Sequence, residues 1–121
     1  NLSVAPIIMA EQCRVALGDE IAQILNARMV AMLIGERPGL SSPDSLSVYL
    51  TFAPHVGSLD SERNCISNIR PEGLTYPRAA FKLAWLVEAA LAIGKTGTAL
   101  KDQSDDPKCR LSLKPLSFLD F

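Results

Sequence analysis

The sequence is poor in the residues that build metal and disulfide sites. It holds one histidine and three cysteines, Cys13, Cys65 and Cys109, far apart and without a C-x-x-C pair. Neither a zinc knuckle nor a disulfide scaffold is indicated, and a reducing cytoplasm is the easier setting. Long hydrophobic runs are also missing. Residues 29–34 form a short apolar run and residues 86–93 are interrupted by Glu88, both well under the roughly 20 residues of a spanning helix, so no membrane segment is expected. There is no excess of one charge either. Twelve Lys and Arg stand against 13 Asp and Glu for a net charge of −1, and the isoelectric point lies near 5.8. Wrapping a phosphate backbone needs a basic face, so no nucleic-acid partner is expected. Residues 1–10 lack a basic leading region and are broken by Pro6, which argues against a secretory signal. The first residue is Asn1 rather than Met, and a fragment or processed chain is the expectation.

What is present suits one folded unit. The chain has 121 residues, 48% of them hydrophobic and 21% charged, with a mean hydropathy of +0.17. This is enough for one core and too little for two comfortable domains. We expect a single α/β domain over residues 1–103 and a divergent tail over 104–121.

Along the chain, residues 4–9 suggest a strand, which Pro6 would confine to an edge or a strand start. Gly18-Asp19-Glu20 opens a helical spacing through Ile21, Ile24, Leu25 and Arg28, with its acids in the first turn. Residues 29–34, apolar throughout and ended by Gly35, read as a strand buried on both faces, hence central and parallel. Residues 47–52 alternate polar and apolar as a second strand, and residues 65–69 form a short third one before a Pro71-Glu72-Gly73 turn. The clearest element follows. Thr75 can cap it, Pro77 suits its first turn, apolar positions recur at steps of three and four, and Gly94 ends it. Residues 98–100 suggest one more strand.

Most motif-like features have plain readings. Gly94-Lys95-Thr96 resembles the end of a phosphate loop, but the glycine that motif needs five residues earlier is Ala89, inside a helix. His55 has no carboxylate or cysteine at ligand spacing and reads as a solvated loop residue. Cys65 lacks a neighbouring base and reads as a small buried apolar side chain, not a nucleophile. The loop at 35–46, GERPGLSSPDSL, is the concentrated signal, because ligands of open parallel sheets sit at the carboxyl ends of the strands. Glu36 suits hydrogen bonds from a ligand there, with Gly35 and Gly39 permitting close backbone approach. The alternative is that Glu36 and Arg37 pair with a neighbour such as Arg63 or Asp44 and only hold the loop. The residues alone leave both readings open.

GERPGLSSPDSL at 35–46, followed by ERNCISNIRPEG at 62–73, closely resembles the small (light) subunit of ethanolamine ammonia-lyase, in its C-terminal domain. RVALGDEI at 14–21 and LKD at 100–102 fit the same family, so the resemblance runs from Arg14 to Asp102. It implies a Rossmann-like, three-layer α/β domain with a mostly parallel sheet that binds adenosylcobalamin against a barrel-forming large subunit. Carried over by position, the family's cobalamin contacts fall on Val15, Glu36 and Cys65, with Cys65 as a contact and Val15 as an apolar or backbone one. The implied chemistry is radical. Homolysis of the cobalt–carbon bond starts the conversion of ethanolamine to acetaldehyde and ammonia, the cofactor supplying reactivity and the protein position. The sequence has no Asp-x-His-x-x-Gly segment that would replace the cobalamin's own base on cobalt.

Substrate binding and radical control belong to the large subunit in this family, so this chain is expected to carry no catalytic residue and no metal ligand and not to turn over ethanolamine alone. The family works in the cytoplasm and in bacterial microcompartments. The family's N-terminal region has no counterpart here, and the tail carries an unfamiliar apolar spacing at Leu111, Leu113, Leu116, Phe118 and Leu119. These features motivate the alternative, a stand-alone truncated homologue that binds a small ligand or self-associates as a homodimer without lyase activity. An independent hydrolase or nucleotide enzyme lacks every constellation it would need.

Overall fold

In the segment from Thr75 to Gly94, local signals and burial agree. The computed structural model, which describes residues 2–35 and 45–106, shows α2 (Tyr76–Ile93) there, with proline in its first turn. Gly94, at φ 73°, closes the helix in the left-handed conformation, and its N–H donates to the Ala90 carbonyl. Glycine is favoured at such a terminus because it lacks a Cβ to clash. Thr75 occupies the N-cap position without a side-chain capping bond. Ala79, Ala84, Trp85, Leu86, Ala89 and Ala90 of α2 are buried. All but Ala84 pack with Val48, Leu50, Ile66, Ile69 and Leu100 into the core.

The remaining regular elements are α1 (Val15–Ile24), β1 (Met29–Gly35), β2 (Leu46–Phe52) and β3 (Arg63–Ile69), with 3-10 turns at Asp60–Glu62 and Gly97–Ala99. The three strands form one sheet in the order β1-β2-β3, and both pairings are antiparallel. The expected Rossmann-like domain with a mostly parallel sheet is therefore wrong, and the structure is a small antiparallel sheet with two helices. The reason lies in the connections. A parallel pair needs a crossover of a dozen or more residues, usually helical, whereas an antiparallel return can be short. The links over 36–45 and 53–62 are both too short for that crossover.

Strand β1 is also not the central strand. It lies at the sheet's edge, and its exposure alternates, with Ala31, Leu33 and Gly35 exposed between half-buried neighbours. Leu33 is 60% exposed. Strand β2 is central, and its pairings define the two faces, because cross-strand partners share a face. Val30, Thr51 and Arg63 align on one face, as do Met32, Tyr49 and Cys65. Leu33, Val48 and Ile66 share the other, with α2 packed against it through the core. Helix α1 covers the first face over β1. Gly18 makes this approach close, since a Cβ there would lie 3.1 Å from Met32 Sδ and 3.4 Å from Val30 Cγ2.

Three further expectations differ from the structure. Residues 4–9 form no regular element, and Ile7 and Met9 are 91% and 95% exposed. The first helix starts at Val15, one turn before Gly18, and buries Gly18, Asp19 and Ala22 while Ile24 is 82% exposed. Its packing face is thus made of small residues and one acid, which a count of large apolar side chains misses. Residues 98–100 form no strand: Thr98 and Ala99 belong to the Gly97–Ala99 turn and Leu100 follows it. Asn64 pins that turn, accepting from the Gly97 N–H at 2.6 Å and donating to the Leu100 carbonyl at 2.9 Å.

The edge assignment is testable by denaturant unfolding of two truncations. Leu86→Ala should cost about 2–5 kcal/mol as a buried large-to-small change, and Leu33→Ala should cost less than about 1 kcal/mol. Comparable losses would return β1 to the sheet centre.

Candidate functional site

The site is built around a buried charge pair that joins α1 to β3. Asp19 (2% exposed) and Arg63 (9%) are both buried. A buried ion pair is tolerated only when its geometry is good and its remaining polar groups are satisfied. Here Arg63 Nη1 donates to Asp19 Oδ1 and Nη2 donates to Asp19 Oδ2, each at 2.7 Å. The second proton of Nη1 goes to Thr51 Oγ1 at 3.1 Å and that of Nη2 to the Ser58 carbonyl at 3.1 Å. Nε donates to Asp60 Oδ1 at 3.3 Å, a weaker contact because that carboxylate is solvated. All the guanidinium donors are thereby used. The Asp19 hydrogen bonds hold the Arg63 pKa above its ordinary value, against the opposing effect of burial.

This clamp locates two of the three residues expected to touch the cofactor. Val15 opens α1 one turn before Asp19, on the same side of the helix. Cys65 follows Arg63 by two positions in β3 and so shares its face of the sheet. Val15 is half-buried and Cys65 is exposed. The expected burial of Cys65 as a small apolar side chain is therefore wrong. Its face of β3 lies beyond α1, which covers β1. Glu36, the third residue, lies outside the described residues, as does the tail from 107. Gly35, the last described residue before it, ends β1 opposite Leu46. Arg63, one of the neighbours considered for that loop, is engaged by Asp19, Thr51, Ser58 and Asp60.

Next to Leu46 sits Ser45, 2% exposed, whose hydroxyl is buried without a hydrogen-bond partner. No sequence pattern singled it out. In the sequence Asp19 suits the helix dipole, and Arg63 stands out only as a possible partner of the 36–37 loop. The partners stand 44 positions apart, and no local spacing links them. The available signal was an acid beside Gly18 and Ala22 on a helix face otherwise made of small residues.

The other candidates are accounted for locally. His55 is exposed and its Nδ1 shares a hydrogen bond with Ser58 Oγ at 2.7 Å. Thr96 Oγ1 accepts from the Phe52 N–H at 2.8 Å and donates to the Glu62 carbonyl, which leaves Gly94-Lys95-Thr96 in a structural turn. Among the described residues no group of three His, Cys, Asp or Glu side chains comes together as a metal site, and no helix is long and apolar enough to cross a membrane. A groove lined by Pro77, Arg78, Phe81, Ser104 and Asp105 lies on the α2 side of the sheet. There the Lys82 hydrogen bond, at 2.8 Å, holds the Asp105 carboxyl below its ordinary pKa.

Fold and site define a small α+β domain whose ordered polar core serves to position side chains on one face of an antiparallel sheet. Comparison with known proteins gives the family. The profile of the ethanolamine ammonia-lyase light chain (EutC) matches residues 1–101, and the chain belongs to that family. It is 60% identical over 104 residues to the ethanolamine ammonia-lyase small subunit of Rhodopseudomonas palustris, covering 86% of this chain and 40% of that protein. Identity to the small subunit of Bradyrhizobium diazoefficiens is 58% over 105 residues, 87% of this chain and 40% of that protein. For Azotobacter vinelandii the figures are 58% over 103 residues, 85% and 38%. The chain thus spans about two fifths of the length of the curated relatives it matches.

Removing one partner of the clamp leaves the other charge buried. Asp19→Ala should lower stability by about 3–5 kcal/mol in urea unfolding, and Arg63→Lys, with Asp19 kept, should also be destabilised because an ammonium cannot reproduce the planar fork. A loss below about 1 kcal/mol in Asp19→Ala would mean that the pair does not hold α1 to β3.

Proposed function

We propose that this chain is the cobalamin-facing part of an ethanolamine ammonia-lyase small subunit and binds adenosylcobalamin against a large subunit. Family membership supports the reading. The observation that carries it is geometric: Val15 and Cys65, drawn from two separate sequence motifs, flank one buried clamp on one side of the sheet.

When bound, adenosylcobalamin supplies the radical chemistry by which this family converts ethanolamine to acetaldehyde and ammonia. This chain's residues bind and orient. Val15 offers an apolar or backbone contact at the start of α1, Cys65 a contact from β3, and Glu36 a carboxylate that accepts hydrogen bonds. The Asp19–Arg63 clamp sets the spacing of Val15 and Cys65, so their positions do not depend on the ligand. Substrate handling falls to the large subunit, and the chain alone does not turn over ethanolamine.

Titration with adenosylcobalamin, followed by absorbance, should show saturable binding, with Glu36→Ala weakening it by about tenfold or more, as for a hydrogen bond to a charged group. No saturable binding, alone or with a large subunit, removes the reading. A second reading, a self-associating domain without lyase activity, is favoured by the exposed apolar side chains of Ile7, Met9 and Ile24. It predicts a concentration-dependent mass in light scattering, and a monomer at every concentration rejects it.

A further inference from the structure

We infer that the outer edge of β1 is a docking edge for a second copy of this chain, which adds its own β1 antiparallel across a two-fold axis; this rests on the self-associating reading above and names its surface. The hydrogen-bond pattern fixes which groups the edge offers. The Ala53 N–H donates to the Arg28 carbonyl at 2.7 Å, and these two residues continue the register that sets Met29 opposite Phe52 and Val30 opposite Thr51. Bonded and non-bonded pairs alternate along an antiparallel ladder. Val30, Met32 and Ile34 therefore turn their backbone groups toward β2, and Met29, Ala31, Leu33 and Gly35 turn theirs outward. Among the described residues no strand lies on that outer side of β1, and no further backbone bond reaches it.

The two edges of the sheet differ in a way that points to pairing at β1. An edge that stays unpaired is normally interrupted by charge, proline or a bulge, because a bare row of N–H and C=O groups templates another strand. The β3 side has such interruptions. Asn68 sits at φ 58°, the register shifts between Leu46 and Val48, and the chain folds back so that Leu74 bridges Ile69. Strand β1 has none: MVAMLIG contains no charge and no proline, and its register with β2 is unbroken. The side chains carried by its outward-facing residues are open as well. Leu33 is 60% exposed, and Ala31 and Gly35 are exposed beside it.

A second copy fits this edge by symmetry. Turning β1 onto itself about Met32 overlaps the whole strand. Ala31 then lies opposite Leu33 of the second copy and Met29 opposite its Gly35, so outward-facing groups meet outward-facing groups in bonded pairs. Every facing pair is uncharged, and the two flanking Arg28 residues fall at opposite ends of the seam, so no like charges meet there. Each copy's edge is consumed by the other, which closes the assembly as a dimer. One strand pair buries less than the roughly 800 Å² per partner of a standard interface, so the dimer is weak and depends on concentration.

Sedimentation of the full chain from micromolar to millimolar concentration tests this. The unaltered chain should pass from monomer to dimer and go no further. Ala31→Lys and Leu33→Lys, each placing a charge on the seam, should weaken dimerisation by about tenfold or more, a difference of about 1.4 kcal/mol. Their melting temperatures in dilute solution should be unchanged, since both side chains are exposed. Amide hydrogen exchange reads the same seam without any substitution. The Ala31 and Leu33 amides should gain protection as concentration rises, while those of Val30 and Met32, bonded to β2, are protected throughout. A dimer that both lysine variants leave intact, or outward amides whose exchange ignores concentration while the mass doubles, overturns the β1 edge and leaves self-association through other apolar side chains standing. A monomer at every concentration removes the self-associating reading and this proposal together.

Discussion

Arg63 is the hub through which the first helix, the sheet and the β2–β3 connection are held in one arrangement. Its guanidinium is buried beside Asp19 of α1, bonded to Thr51 of β2 and to the Ser58 carbonyl of the connecting loop. A buried pair of this kind adds little net stability over a well-packed apolar pair. It does impose specificity, because few placements of α1 satisfy both carboxylate oxygens of Asp19 at once. Gly18, beside it, lets the helix approach Met32 and Val30 closely enough for the bonds to form. The small residues of α1 and the charge at its centre are therefore parts of one packing solution.

That solution explains the division of the sheet. Helix α2 buries its alanine-rich face, with Trp85 and Leu86, on one side over β2 and β3. Helix α1 covers the other side over β1. Each helix leaves part of its face of the sheet uncovered, and Cys65 lies in such a part. The second polar cluster, formed by Thr96, Gly97 and Asn64, fastens the segment after α2 to the start of β3. At Gly97, with φ 86°, a Cβ would meet the Ser61 carbonyl, so close backbone approach is again what lets the polar bonds form.

The candidate site was legible in the sequence to the extent that it lay in contiguous motifs. Val15 and Cys65 were named from segments 14–21 and 62–73, and each segment forms a regular element that bears the residue. Ser45 was not legible, because nothing local distinguishes a buried serine from any other serine of a polar loop. Asp19 escaped for a related reason: an acid near a helix start satisfies the dipole argument equally well whether it faces water or an arginine 44 positions away.

The sequence by itself determined the long helix, its proline start and glycine stop, the existence and rough limits of the three strands, and the family. These follow from local conformational preference and from contiguous motifs. Only the tertiary structure decided that the strands run antiparallel, that β1 lies at the edge, and that Asp19 and Arg63 meet. An apolar run marks a strand, but it carries no information about the direction of its neighbour, its rank in the sheet or, as Leu33 shows, the burial of both its faces. In this chain the two short connections, rather than the apolar run, set the direction, and the pairing of distant charges set the position of α1.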